Sequence, residues 1–259
     1  MAGSVPFDRA VEFYDRTRSI TDEAMARTVE LLRVELAGRG RVLEAGVGTG
    51  LLALPLSRAG IPVVGLDLSA PMLGKLVEKA GGVAPFPLAL GDGTRLPFTE
   101  GAFGGAYLRW VLHLVADWRA LVAEVVRVVR PGGPFLVNLG EYEGERAEIQ
   151  RRFSEIVGVP LEPVGLGWGD FRRLDHALEA LGARPRELAQ VPDRREGTLG
   201  EFLEGIAENR YSWAWSVPES ERTRAHRELV PWTEERFGDL ARRRTFEHAT
   251  RWRAYDLAG

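Results

Sequence analysis

The sequence predicts an α/β fold built on a doubly wound, mostly parallel sheet. Three observations carry that expectation. Short apolar runs of strand length alternate with amphipathic helical stretches from about residue 38 to residue 139. The run Ile61-Pro62-Val63-Val64-Gly65-Leu66 is almost continuously apolar, as strands buried on both faces of a parallel sheet are. The strand-like Arg41-Val42-Leu43 leads through a turn with glycines at 46, 48 and 50 into a helix. A strand, a Gly-rich turn and a helix N-terminus make a nucleotide-type site at the carboxyl end of a sheet.

Composition sets the outer bounds. At 259 residues and 45% apolar content the chain is one large domain, or a core with an elaborated cap. A formal charge of −3 gives no general attraction to nucleic acid. Without cysteine there is no disulfide framework, zinc–thiolate site or cysteine nucleophile. The first residues show no apolar signal core, and no run approaches the ~18 apolar residues of a membrane span. The expectation is a cytoplasmic protein with neither a membrane nor a nucleic-acid partner. Lysine occurs only at 75 and 79; the arginine bias fits heat adaptation and GC-rich coding equally.

The elements follow in order. Residues 7–36 read as helical, with Met25, Val29, Leu32 and Leu36 on one face. Gly38-Arg39-Gly40 ends that stretch and feeds the first strand. A short helix from Leu51 stops at Gly60, and the second strand runs through 61–67. Ser69 caps a helix with Pro71 in its first turn. Residues 85–90 form a third strand. Residues 102–115 hold the fourth strand and the loop after it. Asp117 caps a helix whose stripe of Trp118, Leu121, Val122, Val125, Val126 and Val129 faces the core. Residues 134–139 form the fifth strand.

Further along, 145–157 and a stretch carrying Phe171, Leu174, Leu178 and Leu181 read as helices. Residues 184–195 suit one strand. Thr198 and Glu201 make a capping box. A helix to about 238 is expected to be interrupted at Pro231. Residues 245–255 alternate polar and apolar, as an antiparallel edge strand does.

The chemistry-bearing residues sit at the strand ends. Read from Gly46, a dinucleotide loop G-x-G-x-x-G would need glycine where Leu51 stands, which argues against an NAD-dependent oxidoreductase. Asp67 closes the second strand about 20 residues after the loop, where an acid can accept ribose hydroxyls. His113 lies beyond the fourth strand and is a candidate general base, or a structural histidine. No metal-ligand constellation stands out. Tyr211, Trp213 and Trp215, in the aromatic-rich second part, are candidates for an acceptor wall or for packing.

The loop Glu44-x-Gly46-x-Gly48-x-Gly50 resembles motif I of the class I methyltransferases that use S-adenosylmethionine. Gly91-Asp92-Gly93-Thr94-Arg95-Leu96-Pro97-Phe98 is similar to the "xDAxxLPF" signature of the methyltransferase type 11 and quinone-biosynthesis group. Arg130-Pro131-Gly132-Gly133 and the Tyr14-Asp15…Arg18 segment resemble the same group. The matches cover about residues 42–139.

The resemblance implies a Rossmann-like, seven-stranded sheet whose last strand is antiparallel. It implies an N-terminal helical lid over 1–37, a core over 38–195 plus 241–259, and a helical cap over 196–240 above the acceptor. It implies S-adenosylmethionine as cofactor, S-adenosylhomocysteine as product and a small-molecule acceptor. Cofactor contacts are expected from Glu44, Ala45, Gly46, Gly48, Gly50, Asp67, Leu68 and Met72. Asp92 would meet the adenine amino group and Gly93 a ring nitrogen, with Thr94 beside them. Arg18 and Arg109 would complete the site, and Tyr14 is a second candidate base.

One departure stands out: Gly104 replaces a usual aspartate. The [Asn/Asp]-Pro-Pro-aromatic run of nucleobase and amide methylases is absent, which argues against a DNA or protein-glutamine substrate. A cofactor-binding regulatory or scaffold protein without catalysis would share these binding residues.

Overall fold

The computed structural model describes residues 8, 11, 14–18, 20–140 and 143–258. Phe7, Arg9, Ala10, Glu12 and Phe13 of the expected lid lie outside the described residues. In chain order the strands are β1 (Val42–Ala45), β2 (Val63–Asp67), β3 (Leu88–Leu90), β4 (Gly105–Arg109), β5 (Pro134–Asn138), β6 (Arg184–Glu187), β7 (Val191–Gly197), β8 (Arg244–Thr250) and β9 (Trp252–Asp256). The helices are α1 (Tyr14–Arg18), α2 (Asp22–Leu36), α3 (Ala53–Arg58), α4 (Ala70–Lys79), α5 (Trp118–Val128), α6 (Gly144–Val157), α7 (Phe171–Glu179), α8 (Leu199–Ala207) and α9 (Glu219–Phe237).

Two compact units emerge. The first joins Met1–Gly140, Val164–Val191 and Ala249–Gly259; the second joins Glu141–Pro163 and Pro192–His248. Residues 141–163, with α6, belong with the helical unit because α6 packs along α9.

The first unit carries a seven-stranded sheet in the order β3-β2-β1-β4-β5-β9-β6. β1 runs parallel to β2 and β4, β2 to β3, and β4 to β5. β9 runs antiparallel to both β5 and β6, so the last strand is antiparallel as expected. It lies inside the sheet, and β6, exposed at all four residues, forms that edge.

Alternation along the strands explains the two-sided core. Leu43, Ala45, Leu108, Phe135 and Val137 pack with α5 and α7 residues such as Val125 and Leu178. Val42, Tyr107, Leu136 and Ala254 pack in the other cluster with Leu32 and Leu36 of α2 and Leu56 of α3. The chain turns from one half of the sheet to the other between β1 and β4, which makes their carboxyl ends a topological switch point.

Local chemistry sets several boundaries. Asp117 accepts from the Ala120 amide at 3.0 Å, and Ser69 accepts from Met72 at 3.2 Å. Thr198 accepts from the Glu201 amide at 3.0 Å while Glu201 accepts from the Thr198 amide at 2.8 Å, closing the capping box. No helix among the described residues is long and apolar enough to cross a membrane.

Four sequence expectations change. The 7–36 stretch is not one helix: Thr21 accepts from Ala24 at 3.3 Å and starts α2 afresh. The α2 face most deeply buried is Ala24, Thr28, Leu32 and Leu36, with Met25 and Val29 half-buried beside it. The 184–195 strand is two strands. The Leu188 amide makes a last bond to Trp252 at 3.2 Å, and β7 then pairs with β8 in a separate two-stranded sheet.

Residues 245–255 likewise split at Arg251, whose carbonyl accepts from Asn138 Nδ2 at 2.7 Å. Finally, α9 runs unbroken through Pro231. Burial of Ala225, Leu229 and Thr233 on that helix outweighs the single missing amide donor.

The departure at Gly104 has a steric cause. A Cβ there would lie 1.6 Å from the Arg39 carbonyl oxygen, and the Gly104 amide donates to Arg41 at 2.8 Å. Only glycine lets those backbones approach.

Candidate functional site

The β1 turn is held by its neighbour strand. The Gly46 and Val47 amides donate to the Leu66 carbonyl at 2.7 and 3.0 Å. Gly46, Gly48 and Gly50 have φ of +82°, +53° and +72°, the left-handed region open to glycine. A Cβ at Gly46 would lie 2.5 Å from Val111 Cγ2, and one at Gly50 would lie 2.8 Å from Leu76 Cγ. Gly46 thus keeps a wall of the site close, whereas Gly50 closes the turn onto the core.

Asp67, at the tip of β2, gathers backbone donors. Its Oδ2 accepts from the Gly48 amide at 2.7 Å and its Oδ1 from the Ser69 amide at 2.9 Å. Burial pushes its carboxyl up from the usual range, and those amides oppose the shift. Asp92 follows β3; its Oδ1 accepts from both the amide and hydroxyl of Thr94 at 2.9 Å. Gly93 packs so closely on α5 that a Cβ would lie 2.7 Å from Leu121 Cδ1. Glu44 is buried beneath the loop and accepts from the Tyr107 hydroxyl at 2.8 Å.

The other end of the site is cationic and aromatic. Arg109 Nη2 donates to the Arg18 carbonyl at 2.8 Å. Both guanidinium groups lie over the Trp110 ring, Arg18 at 4.9 Å and Arg109 at 4.8 Å from its centre. Trp110 has φ of +58°, a left-handed conformation that is unusual for a bulky side chain. Burial raises the Tyr14 phenol above its ordinary value, against the pull of Arg109 and Arg18, so the hydroxyl stays protonated. Burial, then Arg18, pushes the His113 imidazole down to about 3, leaving it neutral at physiological pH. The Trp168 ring lies 6.3 Å from His113, tilted by 50°.

Most of these groups border one cavity in the first unit. Ala45, Gly46 and Gly48 line it from the turn, with Asp67, Leu68 and Met72 from β2 and α4. Asp92 and Gly93 line it after β3, and Tyr14, Arg18, Arg109 and His113 complete it. Three expected contacts are not on its wall: Glu44 lies below it, Gly50 faces the core, and Thr94 is turned to Asp92. Trp110, Val111, Val115 and Leu121 line it without having been singled out in the sequence. Leu121 had read as plain helix core, and Trp110 becomes conspicuous only through its backbone angle.

Tyr211, Trp213 and Trp215 lie in the second unit. Tyr211 stacks on Trp213 at 5.6 Å, Trp213 packs on Phe153 at 5.5 Å, and Trp215 Nε1 donates to the Asn209 carbonyl at 3.0 Å. Among the described residues no group of three or more His, Asp or Glu side chains is placed to hold a metal.

Comparison with known proteins agrees with this geometry. A family model described as a methyltransferase domain matches residues 43–137. Demethylmenaquinone methyltransferase of Corynebacterium kroppenstedtii is 34% identical over 134 residues, which is 51% of this chain and 56% of that protein. The chain thus spans little more than half the length of such relatives. Phosphatidylethanolamine N-methyltransferase of Cereibacter sphaeroides is 31% identical over 170 residues, 63% of this chain and 78% of that protein. The solved structure of the YcgJ protein from Bacillus subtilis superposes with a TM-score of 0.61 at 18% identity, covering 92% of this chain and all of that one, and so shares the fold. With the turn, the two strand-end aspartates and these relatives in agreement, the chain belongs to the class I methyltransferases that use S-adenosylmethionine.

Proposed function

We propose that this chain binds S-adenosylmethionine in the cavity and moves its methyl group to a small-molecule acceptor, leaving S-adenosylhomocysteine. One observation carries the reading: the glycine turn, the Asp67 carboxylate and the Asp92 carboxylate border a single cavity at the switch point.

The residues suit that cofactor. The Gly48, Ser69 and Leu68 amides act on the Asp67 carboxylate, whose two oxygens accept about four bonds, so it keeps capacity for a ribose hydroxyl. Asp92 keeps Oδ2 for an adenine amino group, with the Gly93 amide beside it and Leu68 and Leu121 as apolar cover. Ala45, Gly46, Gly48 and Met72 give the amino-acid portion a close wall. Arg18 and Arg109 suit its carboxylate. Glu44, Gly50 and Thr94 support this wall from behind.

Bound there, the cofactor supplies an activated methyl on sulfur, ready for in-line displacement. The chain's task is then to align the acceptor and keep water out, and orientation contributes on the order of 7–11 kcal/mol. His113 and Tyr14 are neutral at the acceptor end and act as hydrogen-bonding groups. With its basicity so reduced, His113 is a poor store for an acceptor's proton. The two named relatives differ in acceptor, so the relatives support only the class of a small molecule.

Calorimetry with S-adenosylmethionine and S-adenosylhomocysteine, on wild type and Asp67→Ala, tests the reading. Micromolar binding that Asp67→Ala abolishes is expected. Binding of neither compound by the wild type would overturn it.

A further inference from the structure

Two acids of the N-terminal segment each hold a hydroxyl on a different cavity-forming loop. Asp15, on α1, accepts from Thr49 Oγ1 at 2.5 Å, and Thr49 stands between Gly48 and Gly50 in the turn. Asp8 accepts from Ser69 Oγ at 2.6 Å, and Ser69 follows Asp67 and Leu68. Both hydroxyls also accept: Ser69 from the Met72 amide at 3.2 Å, and Thr49 from Lys79 Nζ at 3.5 Å. Lys79 in turn pairs with Asp15 Oδ2 at 2.5 Å, tying α1 to the end of α4.

The arrangement is specific in three ways. Thr49 is almost fully buried, at 1% exposure, so its hydroxyl has no ready exchange with water once Asp15 holds it. The contacts join residues 34 and 64 positions apart, so they are not a by-product of local helix geometry. The residue before Asp15 and the residue three after it, Tyr14 and Arg18, both line the cavity, while Asp15, Thr49 and Lys79 do not.

We propose that Asp15, Thr49 and Lys79 form a positioning triad that fixes Tyr14 and Arg18 on the cofactor cavity and thereby sets cofactor affinity without touching the cofactor. This rests on the reading of the cavity as an S-adenosylmethionine site. Through Thr49 the triad also links α1 to the glycine turn, so one set of bonds aligns two walls of the site. The Asp8–Ser69 contact repeats the same device on the β2–α4 loop.

The test measures S-adenosylhomocysteine binding by calorimetry, with thermal melting as the check on folding. Variants are Asp15→Ala, Thr49→Val, Thr49→Ser, Lys79→Met and the double Asp15→Ala/Thr49→Val. Loss of a hydrogen bond to a charged group predicts about tenfold weaker binding for Asp15→Ala and Thr49→Val. Thr49→Ser, which keeps the hydroxyl, restores affinity. The double variant binds no more weakly than the worse single, because both remove one contact. Lys79→Met acts at an exposed position, spares the Asp15–Thr49 bond, and weakens binding severalfold with an unchanged melting midpoint.

Wild-type affinity in Asp15→Ala, Thr49→Val and Lys79→Met overturns the triad while leaving the cofactor reading intact. A double variant that multiplies the two single losses overturns it as well. A wild type that binds no S-adenosylhomocysteine overturns the cofactor reading itself, and the triad with it.

Discussion

The Tyr107 hydroxyl donates to the Glu44 carboxyl at 2.8 Å in the fully packed layer under the glycine turn. Burial raises the Glu44 carboxyl from 4.5 to about 8, only partly opposed by the Tyr107 bond and by Arg109. Between those values the folded chain holds a proton that the unfolded chain has lost. Stability therefore falls as pH rises through that window, by an amount on the order of a few kcal/mol. Melting midpoints of the cofactor-free protein from about pH 5 to pH 9 should fall for the wild type and fall less for Glu44→Gln, which cannot ionise. Parallel curves for the two would contradict the assignment.

His113 gives the opposite slope. Its imidazole is held near 3 by burial and by Arg18, against an ordinary 6.5. As pH falls through that interval the unfolded chain takes up a proton that the folded chain refuses, so stability is lost toward acid. His113→Gln should flatten the acid limb of a denaturation series. Turnover of His113→Gln should keep the wild-type pH profile between about pH 6 and 8, because neutral imidazole does not change charge there. A profile that loses a limb in the variant would restore His113 as a base.

Much of this site was readable because its signals are local. The Glu44–Gly50 turn, Asp67 at a strand end, and the caps at Asp117 and Thr198 depend on residues a few positions apart. What was missed depends on distant partners. The 184–195 and 245–255 stretches carry strand character throughout. They break where the sheet's own bonds run out, at Leu188 and at the Arg251 carbonyl taken by Asn138. Nothing near Asp15 marks Thr49 as its partner, and Trp110 looks like one more core aromatic until its backbone is seen. The split that gives α6 to the helical unit depends on α6–α9 packing, which no periodicity in either helix specifies alone.

Gly104 offers a test of tertiary constraint against family pattern. An aspartate here, which the resemblance implies, would place Cβ 1.6 Å from the Arg39 carbonyl oxygen. That contact cannot relax by rotating a side chain, since the obstacle is backbone. Gly104→Asp and Gly104→Ala should both destabilise the fold, on the order of 3 kcal/mol or more, by chemical denaturation. Equal stability of Gly104→Asp and wild type would mean that the 38–41 turn shifts freely.

Trp110 joins strain to function. Its φ of +58° accompanies a hydrogen bond that its amide donates to the Asn138 carbonyl at 3.0 Å, and its ring carries both Arg18 and Arg109. Replacing it with alanine or glycine removes the ring in both cases, so both should bind S-adenosylhomocysteine severalfold more weakly. The backbone separates them. Glycine adopts the left-handed region without steric cost, while alanine retains a penalty of about 1 kcal/mol. Trp110→Gly should therefore be the more stable of the two in urea denaturation, despite glycine's greater freedom when unfolded. If alanine is instead the more stable, the left-handed turn relaxes once the indole is gone. The angle then belongs to the packing of Trp110 on the two arginines, and the β4 exit imposes no such geometry of its own.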